Sequence, residues 1–501
     1  MERRRSIMRI NRQLRGSRMT ATLSIHAPRS ALPLDSLIPT SPPPESRDNR
    51  LPAAPTKWRA GTLTYTTAGL VVLFCWLLLG DFSWSMRDRS VGPMAQWYLN
   101  HLEVPNIVFG LLISSLPVLV GLLLGPIISV KSDRHRGRWG RRIPFLLVTT
   151  PLAALGMIGL AVTPLLARWV HGFFPGQNET LVAVACFAVF WTAFELATIA
   201  GQAVFGGLIN DVVPKPLLGR FYGLFRAVSL IDGMIFNFWI MGLVPTHFTL
   251  ILLVVGVFYG TSFLWVCLRV KEGAYPPPPP VPAEKETLGR RWWSGVRLYF
   301  RECFSSRYYL SVFLMLMIAS LAFNPVNIFA IPYARSLGID MAIYGKFLAL
   351  TFLISLCLSY FLGWLADIFH PLRLSLAALF GYVLVTAWGS FYANTPNSFL
   401  TAWVLHGVIS GCYFTGAASL AQRLFPHERF AQFTSAAGIL AAPASMALAP
   451  LVGLALDRSG NHYQYTFVIG CILATLALLT TWSVYRQFLR LGGPQNYTAP
   501  E

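Results

Sequence analysis

Residues 125–145 read GPIISVKSDRHRGRWGRRIPF and join two long apolar runs through one short, heavily basic loop. The first run ends at Asp133, and the second opens at Pro144. Two span-length apolar runs joined so tightly predict a pair of membrane helices. Because basic loops stay in the cytoplasm, the loop also predicts its own side of the membrane. The signal is carried by Lys131, Arg134, Arg136, Arg138, Arg141 and Arg142.

The composition of the 501-residue chain is typical of a multi-pass membrane protein. Hydrophobic residues make up 54% of it and charged residues 12%, whereas soluble proteins carry about 25% charged residues. The net charge is +19, but the arginines lie in loops between apolar runs. Membrane topology and anionic lipid therefore explain them better than nucleic acid does. The seven cysteines are scattered singly, and their spacing predicts neither a metal nor any other cofactor.

Twelve apolar segments are long enough to span a bilayer. They predict an all-α integral membrane protein of two six-helix bundles with both termini in the cytoplasm. The first bundle, 61–270, contains spans 65–95, 104–130, 144–168, 180–209, 218–243 and 247–270. The second, 309–490, contains spans 309–334, 341–366, 372–393, 398–424, 428–456 and 464–486. Most of the 40 Lys and Arg then lie on the cytoplasmic side, which supports this orientation.

Three segments lie outside the bundles. Residues 1–60 are rich in Arg, Ser and Pro, so we expect a disordered cytoplasmic arm, with a cleaved organelle transit peptide as the alternative. Residues 271–308 form a cytoplasmic linker that begins with the proline run 276–280, a stiff spacer. Its amphipathic part, 290–304, is expected to lie on the membrane surface. Residues 491–501 form a tail.

Ionisable residues inside the predicted spans indicate function, because each costs roughly 2.5–3.5 kcal/mol on insertion scales. Asp81 lies on span 1, Glu195 on span 4, and Arg226 and Asp232 on span 5. A rise of about 1.5 Å per residue places Glu195 and Asp232 at one depth, ~21 Å from the cytoplasmic ends. We expect Arg226 to pair with one of these two carboxylates. The charged run 87–89 is expected at the outer mouth of span 1.

These residues divide into two predicted roles. A carboxyl group in low dielectric can take up and release a proton near neutral pH, so Glu195, Asp81 and Asp232 are the predicted proton-coupling residues. An ion pair that only fixes helix packing is the structural alternative. The predicted substrate-binding residues are Trp84, Arg226, Trp191, Asn324, Asn327 and Tyr333. The last three lie beside two helix-breaking prolines on span 7, as at a cavity lined by a broken helix.

The basic loop resembles the motif between helices 2 and 3 of the major facilitator superfamily. Within it, the loop looks most like that of the sucrose:proton and glycoside–pentoside–hexuronide:cation symporters. The matching residues are Gly125, Pro126, Ser132, Asp133, Arg134, Gly140, Arg141, Arg142, Pro144 and Phe145. Ile143 replaces an arginine of that pattern, and Ser129 replaces a glycine. In the second half, GWLAD at 363–367 supplies Gly363 and Asp367 but lacks the arginine pair.

Two further stretches resemble the same branch. SWSMRDRSVGPMAQ, residues 83–96, shares its Trp, Pro and Gln, and FELATIAGQAVFGGLIND, residues 194–211, places Glu195 on the membrane carboxylate of those families. The resemblance implies alternating access between two rocking bundles, with the substrate near mid-membrane. It also implies a cytoplasmic gate of Asp133, Arg134, Gly140, Arg141, Arg142, Gly363 and Asp367.

Together these features predict a secondary active transporter that moves a small polar solute, a sugar or glycoside, by proton-coupled symport. Sodium is the alternative ion. We expect a monomer in the plasma membrane, the inner membrane in a bacterium, with the solute and the lipid bilayer as partners. An exporter, a drug or lysolipid carrier, and a non-transporting sensor are the alternatives, because fold does not fix substrate. No enzyme is predicted, since paired catalytic residues and phosphate-binding loops are missing.

Overall fold

The computed structural model describes residues 58–275, 297, 299–426 and 429–500. The described part is almost entirely helical, and 11 of its helices are long and apolar enough to cross a membrane. One of these, Lys215–Arg269, has 55 residues and contains two spans joined by a turn. The predicted twelve spans are therefore all present. Large apolar side chains such as Leu123, Val148 and Phe391 are exposed along them, as expected of a lipid-facing surface.

The first bundle contains helices α1 to α6. Their bounds are α1 Thr67–His101, α2 Asn106–Arg134, α3 Ile143–Phe173, α4 Glu179–Val212, α5 Leu218–Ile235 and α6 Val244–Arg269. The second bundle contains α7 Arg307–Ser336, α8 Met341–Phe369, α9 Pro371–Tyr392, α10 Pro396–Ala417, α11 Phe430–Arg458 and α12 Tyr465–Arg490. The loops that follow α2, α4, α6, α8, α10 and α12 share one face of the protein, here called the basic side. The other face is called the opposite side.

Several helices are irregular at the level where the bundles meet. A π-helical turn, Leu111–Ser115, interrupts α2, and a second one, Phe236–Ile240, continues α5 towards a 3₁₀ turn at Met241–Leu243. Helix α7 breaks at Phe323, two residues before Pro325. The break follows from chemistry, because proline lacks the N–H that a continuous helix needs.

A small hairpin precedes α1 on the basic side. Strand β1, Trp58–Ala60, pairs antiparallel with β2, Leu63–Tyr65. The hydroxyl of Thr62 in its turn accepts a hydrogen bond of 2.8 Å from the backbone N–H of Ala274. The hairpin thereby fastens the start of the linker, a contact that the sequence did not predict. Most of the predicted arm, the proline run and the first part of the amphipathic segment lie outside the described residues, and residues 299–304 are helical.

The main error in the predicted boundaries concerns α1. The prediction ended this span at residue 95, but the helix continues to His101. The middle of α1 is therefore close to Trp84 and Arg87, further towards the C-terminus than the middle of the predicted span. The charged run 87–89 consequently lies near mid-membrane, and its predicted place at the outer mouth is wrong.

Candidate functional site

A central cavity of about 480 Å³ lies between the two bundles. It is lined by α1 and α5 of the first bundle and by α7, α8 and α10 of the second. Its charged residues are Asp88, Arg89 and Arg226. Its other hydrogen-bonding residues are Gln96, Asn237, Asn327, Tyr344, Thr351, Ser355, Trp403 and Ser410. A cavity of this size, polar on both walls, can hold a small polar molecule.

Access to the central cavity differs between the two sides. Asn237 and Tyr344, towards the opposite side, are only 2% and 3% exposed. Arg226, which lies nearer the basic side on α5, is exposed. Packed helix ends therefore seal the cavity on the opposite side, and among the described residues it is accessible from the basic side.

The seal on the opposite side is a hydrogen-bonded seam between the bundles. One oxygen of the Asp457 carboxylate accepts from the backbone N–H and the side-chain amide of Asn106, both at 2.8 Å. The other oxygen accepts from the N–H of Ile107 at 3.0 Å. Asp457 ends α11, whereas Asn106 begins α2, so an acid of one bundle caps a helix of the other. Arg335 of the second bundle also donates across the seam, to Oδ1 of Asn100 at 2.8 Å.

Glycines allow the backbones to meet along this seam. A Cβ added at Gly110 on α2 would lie 2.7 Å from the carbonyl carbon of Ala449 on α11. Added Cβ atoms at Gly345 and Gly453 would collide with the carbonyl oxygens of Asn237 and Asn106. Among the described residues, all hydrogen bonds that join the bundles lie in this half of the protein.

The charged run of α1 is the polar centre of the first bundle. Arg87 is fully buried and forms an ion pair of 2.6 Å with Asp88. Its guanidinium also donates to the hydroxyl of Tyr259 at 3.2 Å and lies 4.0 Å from the centre of the Trp84 ring. These contacts compensate the loss of hydration that burial of an arginine entails. The Asp88 side chain remains 48% exposed and lines the central cavity.

Glu195 lies on the far side of α1 from the central cavity. It lines a second cavity of about 430 Å³ between α1, α2 and α4, together with Arg87 and Asp88. Arg87 and Asp88 are also the charges that act on it electrostatically. The expected ion pair of Arg226 with Glu195 or Asp232 is wrong, because neither pair occurs among the described residues. The longer α1 is the reason, since it places Arg87 beside Glu195.

Asp81 and Asp232 lie together at the interface of α1 and α5. They are 7% and 0% exposed, and the two groups are within electrostatic range of each other. One oxygen of Asp81 and both oxygens of Asp232 have no hydrogen-bond partner among the described residues. Neither residue lines the central cavity. The three predicted coupling carboxylates thus occupy two separate places.

The predicted substrate-binding residues are also divided. Arg226 and Asn327 line the central cavity. Trp84 packs in the first bundle against Phe205, Trp191 donates to the carbonyl of Leu112, and Tyr333 donates to the carbonyl of Ala393. These aromatic side chains are used for packing and do not line the central cavity; nor does Asn324, at the break in α7. Sequence reasoning missed Asn237 and Trp403, which also line the cavity, because it gave charged side chains within a span more weight than neutral ones.

Asn327 is held by a buried histidine. His406 is fully buried, and its Nε2 lies 3.0 Å from Oδ1 of Asn327 while its Nδ1 lies 2.8 Å from the Tyr382 hydroxyl. The Trp403 ring stacks on the imidazole at an interplanar angle of 10°. The second bundle therefore presents Asn327 and Trp403 to the cavity from a fixed support.

Three of the predicted gate residues, Asp133, Arg141 and Arg142, belong to an ion-pair network on the basic side. Asp133 pairs with Arg142, and Arg141 pairs with Asp211, with one bond of 2.9 Å. Hydrogen bonding to Asp211 raises the pKa of Arg141. All these contacts join residues of the first bundle. The side chains of Gly363 and Asp367 lie outside the described residues.

Glu272, just after α6, completes this network, although the sequence did not indicate it. Its carboxylate accepts from the backbone N–H groups of Arg141, Arg142 and Ile143 at 2.7–2.9 Å. It therefore caps α3, where a negative charge also favours the helix dipole. Gly140 has φ +102°, and an added Cβ there would meet Glu272 at 2.5 Å. Both the backbone conformation and the close approach require glycine.

Comparisons with known proteins agree with this architecture. The family model for the Major Facilitator Superfamily matches residues 312–494. The sequence matches no curated protein. A bacterial homologue of the iron transporter ferroportin, in an inward-facing state, is similar with a TM-score of 0.61 and 15% identity, covering 83% of this chain and 99% of that one.

Two further solved structures are similar. A bacterial homologue of the human lysosomal transporter Spinster, inward-facing and unoccupied, has a TM-score of 0.59 and 14% identity, covering 86% of this chain and 98% of that one. A D-xylose–proton symporter has a TM-score of 0.57 and 14% identity, covering 83% and 97%. The chain has the twelve-helix, two-bundle major facilitator fold, and the comparisons support that superfamily. The long apolar helices of this fold indicate a multi-pass membrane protein.

Proposed function

We propose that the protein is a secondary active transporter that moves a small polar solute, a sugar or glycoside, together with protons by alternating access. The central cavity carries this proposal. It lies between the bundles, takes hydrogen-bonding side chains from both, and among the described residues is sealed on the opposite side and not on the basic side. If the seam opened while the basic side closed, the same groups would face the other side of the membrane.

The chemistry of the cavity supports a polar solute over a lipid or an apolar drug. Asp88, Arg89, Asn237 and Asn327 line it, whereas a lipid path would be mainly apolar. The similarity to a D-xylose–proton symporter supports a sugar and a proton as the transported pair, with sodium as the alternative ion. The positive-inside rule places the basic side in the cytoplasm, so the conformation is inward-facing. We further propose a monomer in the plasma membrane.

Coupling runs through Arg87 in this proposal. The guanidinium pairs with Asp88, which lines the central cavity, and Arg87 lines the second cavity together with Glu195. When Glu195 is protonated, Asp88 is the one negatively charged partner of Arg87 among the described residues. When Glu195 loses its proton, the two carboxylates compete for one arginine, which loosens Asp88 towards the solute. Asp81 and Asp232, together but away from the cavity, form the second candidate proton site.

Uptake into proteoliposomes with an imposed proton gradient tests the proposal. Glu195→Gln should abolish gradient-driven accumulation of a sugar and leave solute exchange, because exchange needs no net proton movement. Glu179→Gln is the matched control, since Glu179 lies in the exposed first turn of the same helix. Full accumulation by Glu195→Gln would remove Glu195 from coupling. Binding of solute without any transport by the unmodified protein would favour the sensor.

A further inference from the structure

We infer that the transported solute carries an anionic group and that Arg89 and Arg226 bind it in the central cavity. This inference rests on the proposed function and narrows its substrate to hydroxylated organic anions, such as a sugar acid or a sugar phosphate. Carboxylate and phosphate share the chemistry that matters here, because the planar guanidinium binds either through two parallel hydrogen bonds.

The two arginines bring uncompensated positive charge into the cavity. Both line it, from α1 and α5, and they are within electrostatic range of each other. Neither forms an ion pair with any described residue. Two like charges in a partly desolvated space repel, and an anion between them would convert that repulsion into attraction.

The nearby carboxylates are engaged or out of reach. Asp88 lines the same cavity but is paired with Arg87 at 2.6 Å. Asp232 is within electrostatic range of Arg89, but it is fully buried, does not line the cavity and forms no ion pair with any residue that the structure describes. The cavity therefore retains an excess of positive charge that an anionic solute would balance.

Arg89 is oriented without being neutralised. Its Nη2 donates to the hydroxyl of Ser229 at 2.9 Å, and its guanidinium lies 5.0 Å from the centre of the Phe352 ring. Ser229 belongs to the first bundle and Phe352 to the second. A neutral hydroxyl and an aromatic ring hold the group in place and leave its charge available to a ligand.

Two unpartnered polar groups indicate where the rest of the solute lies. Oδ1 of Asn237 and Nε1 of Trp403 have no hydrogen-bond partner in the described part of the chain, although these residues are only 2% and 5% exposed. Both residues line the central cavity, one from each bundle. An acceptor and a donor left without partners are costly, and hydroxyl groups satisfy both, because a hydroxyl donates and accepts. The arrangement suits a molecule with an acidic end and a hydroxylated body.

Thermal stabilisation of the purified full-length protein by matched solutes tests the inference. The probes are D-glucuronate with D-glucose, D-galacturonate with D-galactose, and D-glucose 6-phosphate with D-glucose, together with inorganic phosphate and sulfate alone. We expect at least one acid to bind about tenfold to a hundredfold more tightly than its neutral counterpart. The carboxylate and phosphate arms identify which anion is preferred, and the inorganic ions show whether the acidic group suffices.

Substitutions of the arginines distinguish the effect of losing the charge from the effect of disturbing the fold. Arg226→Gln should weaken binding of the acid about tenfold to a hundredfold and leave the neutral counterpart unaffected, whereas Arg226→Lys should retain part of the preference. Arg220→Gln is the matched control, since Arg220 is exposed on the same helix and does not line the cavity. Equal binding of acid and neutral sugar would overturn the inference, as would the absence of stabilisation by every acid.

Counterflow in proteoliposomes distinguishes failure of the anionic-solute inference from failure of the proposed function. If neutral sugars are exchanged and acids are not, the transporter stands and the anionic solute is refuted. If acids bind with the stated dependence on Arg226 but no solute crosses the membrane, the anion site stands and transport is refuted.

Discussion

Replacement of Asp457 by alanine should weaken the seam and shift the protein towards conformations that open on the opposite side. The carboxylate accepts three hydrogen bonds from Asn106 and Ile107, and all three cross from one bundle to the other. A conformation with the seam open loses these bonds in any case. The substitution therefore destabilises the closed arrangement selectively.

The magnitude follows from the geometry of a helix cap. Loss of a side-chain cap costs about 0.5–2 kcal/mol, and loss of a negative charge at a helix N-terminus costs about 0.3–1 kcal/mol more. A combined effect of about 2 kcal/mol changes the ratio of open to closed seams about thirtyfold. A population too small to detect in the unmodified protein would then become measurable.

Spin labels across the seam provide the assay. Gln177→Cys and Asn394→Cys place one label on an exposed loop of each bundle, both on the opposite side, in a background without the seven native cysteines. Pulsed electron paramagnetic resonance then reports the distance between the bundles. Asp457→Ala should add a population at longer distance.

Asp340→Ala is the matched control for this experiment. Asp340 also caps a helix on the opposite side, but its 2.6 Å bond to the N–H of Ala342 lies within its own bundle. It should lower stability without changing the distance distribution. If both substitutions leave the distances unchanged, or change them equally, Asp457 does not hold the seam.

Two further predictions concern the basic side. Asp211→Asn should lower the free energy of unfolding by about 2 kcal/mol, whereas Asp133→Asn should lower it by about 0.2–1 kcal/mol. The difference is expected because the Asp211 side chain is 12% exposed and the Asp133 side chain is 54% exposed. Equal shifts of the two variants in thermal unfolding would contradict this ranking. Burial and two neighbouring arginines lower the pKa of His370 to about 4. Since the unfolded value is 6.5, its neutral form contributes stability above pH 6.5 that is lost as the pH falls towards 4, about 2 kcal/mol at pH 5. His370→Asn keeps an acceptor and tolerates the positive φ of 68°, so its unfolding temperature should change less between pH 7 and pH 5; an unchanged pH dependence would exclude His370.

The spans were predictable from the sequence because a bilayer admits few alternatives to long apolar helices. The depth of Arg87 within its span was not predictable from the sequence, because a run of charges ordinarily marks the end of a span. Here the ion pair with Asp88 and the ring of Trp84 allow it to lie inside the bundle. Such compensation depends on tertiary contacts that hydropathy does not record.

The site was predicted only in part for a related reason. Arg226 and Asn327 were identified because polar residues are rare in spans. The partners Asp211 and Glu272 lie far in sequence from the basic loop that they organise. Asp457 precedes an arginine at a helix end, where an acid is ordinarily a surface residue. Its role depends on how the second bundle meets the first.

Substitution of the seam glycines can weaken the contact between the two bundles but cannot tighten it. Gly110, Gly345 and Gly453 already have the smallest side chain, and each faces backbone of the other bundle. Random mutation at these positions can only add atoms, and any added atom acts as a wedge. Inherited changes there will therefore tend to prop the protein open towards the far compartment and will seldom lock it shut.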